Sequence, residues 1–120
     1  MRIALAATCG ALLAGCVAGG VGDPCLQETV PPRGYDRAET YVELGSAECV
    51  TRVCLVTGLA GDPRAGCTVG CASEDDVRAH VYCSCRCDEQ SPTPPCACPD
   101  GFACRPAGRA GSYCMRDPAP

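Results

Sequence analysis

The chain has 120 residues, among them 14 Cys, 14 Gly and 11 Pro, and ten basic residues (all Arg) stand against 14 acidic ones for a formal net charge of -4. That length fits one small domain and excludes a large enzyme fold. The acidic balance excludes an electrostatic nucleic-acid binder, which needs a basic face to neutralise phosphates. What is left is a small, cysteine-stapled, weakly acidic exported module.

The chain opens with a positive residue, Arg2, and an apolar run of 11 residues, Ile3 to Leu13, that carries no charge. The run is shaped like an export signal and is too short to cross a bilayer, which takes roughly 20 apolar residues. It ends in Leu13-Ala14-Gly15-Cys16. This tetrapeptide resembles the lipobox of bacterial lipoproteins: an aliphatic residue, a small residue, Gly or Ala, then Cys. The resemblance covers the N-terminus alone. It implies removal of residues 1–15, a diacylglyceryl group on the Cys16 thiol, acylation of the new amino terminus, and membrane lipid as the partner reached through Cys16. Each buried methylene contributes ~0.8 kcal/mol of membrane affinity, so two or three acyl chains anchor a protein stably. Val17 follows the cysteine, where enterobacterial lipoproteins held at the inner membrane carry Asp; by that analogy the address is the outer membrane.

The mature chain from Cys16 onward has 9 Arg against 14 acidic residues, a charge of -5. Its large aliphatics and Phe number 15 of 105: 4 Leu, 10 Val and Phe102. Chains below ~20% in this count do not bury enough apolar surface to offset the ordering entropy. Cysteine supplies what the core lacks. With Cys16 set aside, twelve remain: Cys25, Cys49, Cys54, Cys67, Cys71, Cys83, Cys85, Cys87, Cys96, Cys98, Cys104 and Cys114. An even count in an exported chain implies a disulfide framework, here of six bridges. Each contributes ~2–4 kcal/mol, mainly by restricting the unfolded chain.

In chain order, residues 16–24 read as a lipidated N-terminus and a Gly-rich flexible tether, whose eight residues after Cys16 reach roughly 16 Å. A single disulfide-rich domain over 25–114 follows, then a fraying tail over 115–120. Pro31-Pro32-Arg33-Gly34 marks a turn, Tyr41 to Leu44 a strand, and Thr51 to Val56 a second strand. Gly58 to Gly66 supplies further turns. Ser73 caps a short helix over Glu74 to His80, with acids in its first turn. From Val81 to Cys87 the residues alternate, placing Val81, Cys83, Cys85 and Cys87 on one face of a strand. Side chains at i and i+2 point the same way, so each of these cysteines is expected to bridge to a different segment. Asp88 to Pro95 is a Pro-rich loop, and the last cysteines flank a hairpin turning near Gly108 to Ser112. Five of the twelve cysteines precede a cut between Cys71 and Cys83 and seven follow it, so at least one bridge must join the two halves.

Cys96-Ala97-Cys98-Pro99-Asp100-Gly101-Phe102-Ala103-Cys104 resembles the closing segment of an EGF-like module, but its cysteine spacing departs at once, leaving shared turn chemistry. The arrangement as a whole is similar to small Cys-rich predicted lipoproteins of myxobacteria, a likeness that brings no activity with it. His80, Cys83, Cys85 and Cys87 form a soft ligand set that invites a metal reading, against which stands the oxidising space to which export delivers the thiols. The catalytic inventory is thin: one histidine, no Gly-x-Ser-x-Gly elbow, and no thiol left unpaired for a Cys-His nucleophile. Glu74-Asp75-Asp76 lacks the surroundings of a calcium loop and reads as a solvated helix start. Tyr35, Tyr41, Tyr82 and Tyr113 are shared between a binding surface and the core, in proportions the sequence leaves open.

The expected fold is therefore small, disulfide-rich, β-leaning and irregular, with few short strands and at most one short helix. The expected function is non-catalytic: a lipid-anchored cell-envelope protein, structural or binding in role, with no cofactor. The alternative is an envelope metal chelator using His80 and the Cys83 to Cys87 cluster. No nucleic acid is expected as a partner, and the sequence names no protein or glycan partner.

Overall fold

Two short segments with β-branched residues, Thr40–Leu44 (β1) and Val53–Thr57 (β2), pair antiparallel in the computed structural model, which describes residues 18–88 and 96–117. Val81–Ser84 (β3) pairs antiparallel with the other side of β2, giving a sheet of order β1-β2-β3. Phe102–Pro106 (β4) and Ser112–Arg116 (β5) form a separate antiparallel hairpin, joined through a 3-10 turn at Gly108–Ala110. The expected export signal, the Leu13-to-Cys16 motif, residues 89–95 of the expected Pro-rich loop and residues 118–120 lie outside the described residues.

The three-stranded sheet is covered on both faces. On one face Cys54, Val56, Val81 and Cys83 pack with Cys25, Tyr35, Cys49 and Leu59, and with the half-buried Val77 of the helix. On the other, Val53, Leu55 and Tyr82 pack against Ala107, Tyr113 and Met115 of the hairpin region. The central strand β2 is accordingly buried at every position except Thr57, and a strand buried on both faces shows no alternation of apolar and polar residues. The thin core is made to serve twice, with one sheet between two layers.

The helix Glu74–His80 (α1) forms as its sequence predicts: the Ser73 side chain accepts from the Asp76 N–H at 3.1 Å, and three acids occupy the first turn. The second strand begins two residues later than expected. Arg52 stands at φ 66, the left-handed region, and breaks the extended run before Val53. The expected long strand Val81 to Cys87 is also shorter, ending at Ser84. Arg86 then leaves the three-stranded sheet and makes an isolated bridge to Tyr113 of β5. Nor does that strand have a single buried face, since Tyr82 and Ser84 are as buried as Val81 and Cys83.

Two boundaries move outward. Residues 18–24 are not a free tether: Gly19 bridges to Cys49, and Gly22 and Asp23 hydrogen-bond to Cys83. The backbone itself supplies these bonds, so a Gly-rich sequence, which reads as flexible, still finds fixed partners. At the other end Met115 is buried and Arg116 completes β5. The Asp117 N–H donates to Gly101 O at 2.7 Å, so the chain is held through Asp117 rather than fraying from Met115.

Glycine is required where backbones cross closely. Gly34 has φ 81, and a Cβ there would lie 2.5 Å from the Gly61 carbonyl carbon. The next residue, Tyr35, exchanges two backbone hydrogen bonds with Gly61, at 2.8 and 3.0 Å.

Candidate functional site

Every cysteine among the described residues is in a disulfide. The bridges are Cys25–Cys54, Cys49–Cys83, Cys67–Cys71, Cys85–Cys96, Cys87–Cys104 and Cys98–Cys114. Cys83, Cys85 and Cys87 do reach three different segments, and Cys49–Cys83 is the bridge that joins the two halves of the chain. Antiparallel register sets cysteines side by side that do not bond to each other. Cys54 lies directly opposite Cys83 across β2 and β3, and Cys104 opposite Cys114 across β4 and β5. In both cases each member bonds to a loop instead of to its cross-strand neighbour. The loops, which have little apolar surface of their own, are thereby stapled to the strands.

The bridges are packed against one another. Cys114 Sγ lies 3.5 Å from Cys85 Sγ and 3.7 Å from Cys96 Sγ. Sulfur, polarizable and apolar, fills the hairpin end of the molecule where aliphatic side chains are missing.

The alternative ligand set is not brought together. Cys83, Cys85 and Cys87 have their sulfurs committed to three separate bridges. The His80 ring Nδ1 lies 2.9 Å from Thr57 O, on the neighbouring strand. Asp75 of the acidic triplet pairs with Arg78 at 3.2 Å along the exposed face of α1, as a solvated helix start does. Three tyrosines belong to the core. Tyr35, Tyr82 and Tyr113 are buried, and Tyr41 packs edge-on against Tyr35 with ring centroids 4.8 Å apart. A tyrosine-lined binding surface therefore does not form. Burial pushes the Tyr35 phenol up to about 12, helped by the Glu43 carboxylate, and burial likewise raises Tyr82. The turn at Pro99 to Phe102 is present: the Phe102 N–H donates to Pro99 O at 3.0 Å around Gly101.

Sequence reasoning missed the seam that receives the N-terminal segment. The Gly19 N–H donates to Glu48 O, and the Val50 N–H donates to Gly19 O, both at 2.8 Å. Gly20 and Asp23 close a turn, with the Gly20 N–H on Asp23 Oδ2 at 2.8 Å. The Gly22 N–H then donates to Cys83 O, and the Cys83 N–H to Asp23 O, again at 2.8 Å. Residues 22–23 thus cover the edge of β3 that β2 leaves open, a protection exposed strand edges commonly need. Arg116 clamps the seam from β5. Its guanidinium lies 4.7 Å from the Tyr82 ring centroid and 5.4 Å from that of Phe102, and its Nη2 donates to Gly22 O at 3.2 Å. The only sequence signals for this were Asp23-Pro24, which halts the Gly run, and an arginine close to the chain's end.

Beside the seam lies an open groove of about 530 Å³, walled by Pro24, Leu26, Pro63, Ala72 and Val77, with Glu74 and Arg78 at its rim. Leu26, Leu44, Val50 and Val69 are the large apolar side chains left exposed among the described residues. No described helix is long and apolar enough to cross a membrane. Compared with known proteins, the chain matches no family model, no curated protein and no solved structure.

Proposed function

We propose that this protein is a non-catalytic, lipid-anchored component of a bacterial cell envelope, its disulfide-stabilised domain held on the outer membrane through Cys16. One observation carries the reading. All twelve cysteines from Cys25 onward are consumed in six bridges, which leaves Cys16, the cysteine of the lipobox-like motif, outside the framework. Extensive disulfide bonding belongs to exported proteins, in keeping with the signal-like N-terminus. The role is structural or binding, a reading supported by where the described thiols, three of the four tyrosines and the histidine are used: in bridges, in the core, and against a backbone carbonyl.

Intact mass tests the framework and the anchor together. The mature protein should carry acyl mass on a chain that begins at Cys16, and should gain about 12 Da on full reduction as six bridges each take up two hydrogens. Cys16→Ser should either block processing or release the chain from membranes. Unchanged processing and membrane partition in that variant overturns the anchor. A mass that does not move under reductant overturns the framework.

A further inference from the structure

We infer that the end of β1 at Leu44 and the β1–β2 loop, residues 45–52, form a membrane-apposed face, resting on phospholipid with Leu44 and Val50 in the headgroup region and Arg52 toward the lipid phosphates. The inference rests on the anchor proposed at Cys16. Its starting point is a length. Gly19 is bonded on both sides to this loop, through Glu48 O and the Val50 N–H. Only Val17 and Ala18 separate it from Cys16. Three residue steps of fully extended chain span at most about 10 Å, so a lipid-bearing Cys16 lies within about that distance of Gly19, which is hydrogen-bonded to the loop. A domain joined by so short a link cannot stand clear of the headgroups, and the part nearest the link is the part that meets them.

The loop is built for that position. Leu44 is 70% exposed and Val50 65% exposed, in a chain with few large apolar residues to spare. Val50 follows Cys49, whose bridge to Cys83 fixes it to the sheet. Arg52 is the one non-glycine residue at positive φ among the described residues, at 66°. Its backbone is pinned there, donating to Cys49 O and accepting from the Ser46 N–H, each at 3.0 Å. Its exposed side chain makes no hydrogen bond or ion pair among the described residues, so its charge is free for an anionic group. A cation kept where glycine is the easier residue fits a demand from outside the domain. The loop's one carboxylate, Glu48, is turned aside, with Oε1 accepting from the Leu26 N–H at 3.0 Å. Apolar side chains flanked by an arginine are the usual makings of an interfacial contact.

The absence of tryptophan from the sequence makes the test direct. Full-chain, lipidated protein carrying Val50→Trp is reconstituted into vesicles of equal phosphatidylethanolamine and phosphatidylglycerol, with and without brominated acyl chains. Val69→Trp, in the exposed Cys67–Cys71 loop, is the control, and the mass gain on reduction verifies that both variants keep six bridges. The expected result is blue-shifted emission and strong bromolipid quenching for Trp at 50, with water-like, unquenched emission for Trp at 69. Adding Arg52→Gly to Val50→Trp, a change the positive φ tolerates, should weaken the quenching while the protein stays on the vesicles. Vesicle-bound protein whose Trp at 50 emits and quenches like Trp at 69 overturns the docking and leaves the anchor standing. Failure of the wild-type chain to stay on the vesicles overturns both.

Discussion

At the scale of single residues, the Gln27 side chain stands out because both ends of its amide are used. Gln27 is half-buried and donates from Nε2 to Tyr41 O at 3.0 Å and to Cys54 O at 2.8 Å, while its Oε1 accepts from the Tyr35 hydroxyl at 3.0 Å. One amide thus ties β1, β2 and the Tyr35 segment together. Gln27→Ala strands two carbonyls and a hydroxyl at once, and should lower stability by about 2–3 kcal/mol in a denaturant melt. A variant within experimental error of wild type would show that water replaces the amide. Tyr35 adds a pH dependence. Its folded pKa near 12 lies above the ~10 of an unfolded phenol. The folded state therefore keeps a proton that the unfolded state loses between those values. The stabilisation is complete below pH ~10 and falls away as pH rises toward 12. Tyr82, shifted in the same direction by burial, adds to the slope. Denaturant midpoints taken across this range should decline more shallowly in Tyr35→Phe than in wild type, and equal slopes would remove Tyr35 as a source.

At the scale of elements, what could be read from the sequence depended on where the information lay. The helix over Glu74 to His80 was legible to the residue, because its start is written in local side chains: Ser73 as cap and three acids in the first turn. The first two strands were legible from their β-branched residues, but β2's true start was not, since nothing in the letter Arg marks the left-handed backbone of Arg52. That Cys83, Cys85 and Cys87 reach three different segments was expected from the two-residue period of a strand, and it holds although the strand ends at Ser84 and carries only the first of them. The identity of their partners was not legible, because pairing is set by tertiary proximity that spacing does not encode. The seam at residues 19–23 was invisible for a further reason: it is made mostly of main-chain hydrogen bonds, available to any sequence. The bridges themselves differ in what they contribute. Cys49–Cys83 closes 34 residues and Cys67–Cys71 only 4; loop entropy alone gives ~4 kcal/mol for the first and ~2 kcal/mol for the second. Replacing both members by Ala should therefore cost clearly more at Cys49 and Cys83, where both sulfurs are also buried, than at Cys67 and Cys71. Equal losses in midpoint would mean that the denatured chain is already ordered enough to make loop length immaterial.

At the scale of the whole molecule, few aliphatic side chains are spread over two layers, one on each face of the sheet, and sulfur bridges close both. Neither layer is large enough to be independent, since both share β2 and β3. Cys49–Cys83 and Cys25–Cys54 hold the layer over one face, and Cys85–Cys96, Cys87–Cys104 and Cys98–Cys114 hold the hairpin against the other. Reduction should therefore proceed in an order set by access, because a thiolate must reach sulfur to attack it. Cys71 and Cys104 are exposed, so Cys67–Cys71 and Cys87–Cys104 should open first, with the three-stranded sheet intact. Cys25–Cys54 and Cys49–Cys83, with all four residues buried, should open last and in concert with loss of the sheet. Timed alkylation with peptide mass mapping gives the order, and far-ultraviolet circular dichroism on the same samples follows the sheet. Once the two buried bridges are gone, an aliphatic content this low leaves too little burial to hold the chain folded. Early opening of Cys49–Cys83, or a sheet that survives the loss of all six bridges, would mean that the apolar layers alone suffice, and that the cysteines are needed for something other than stability.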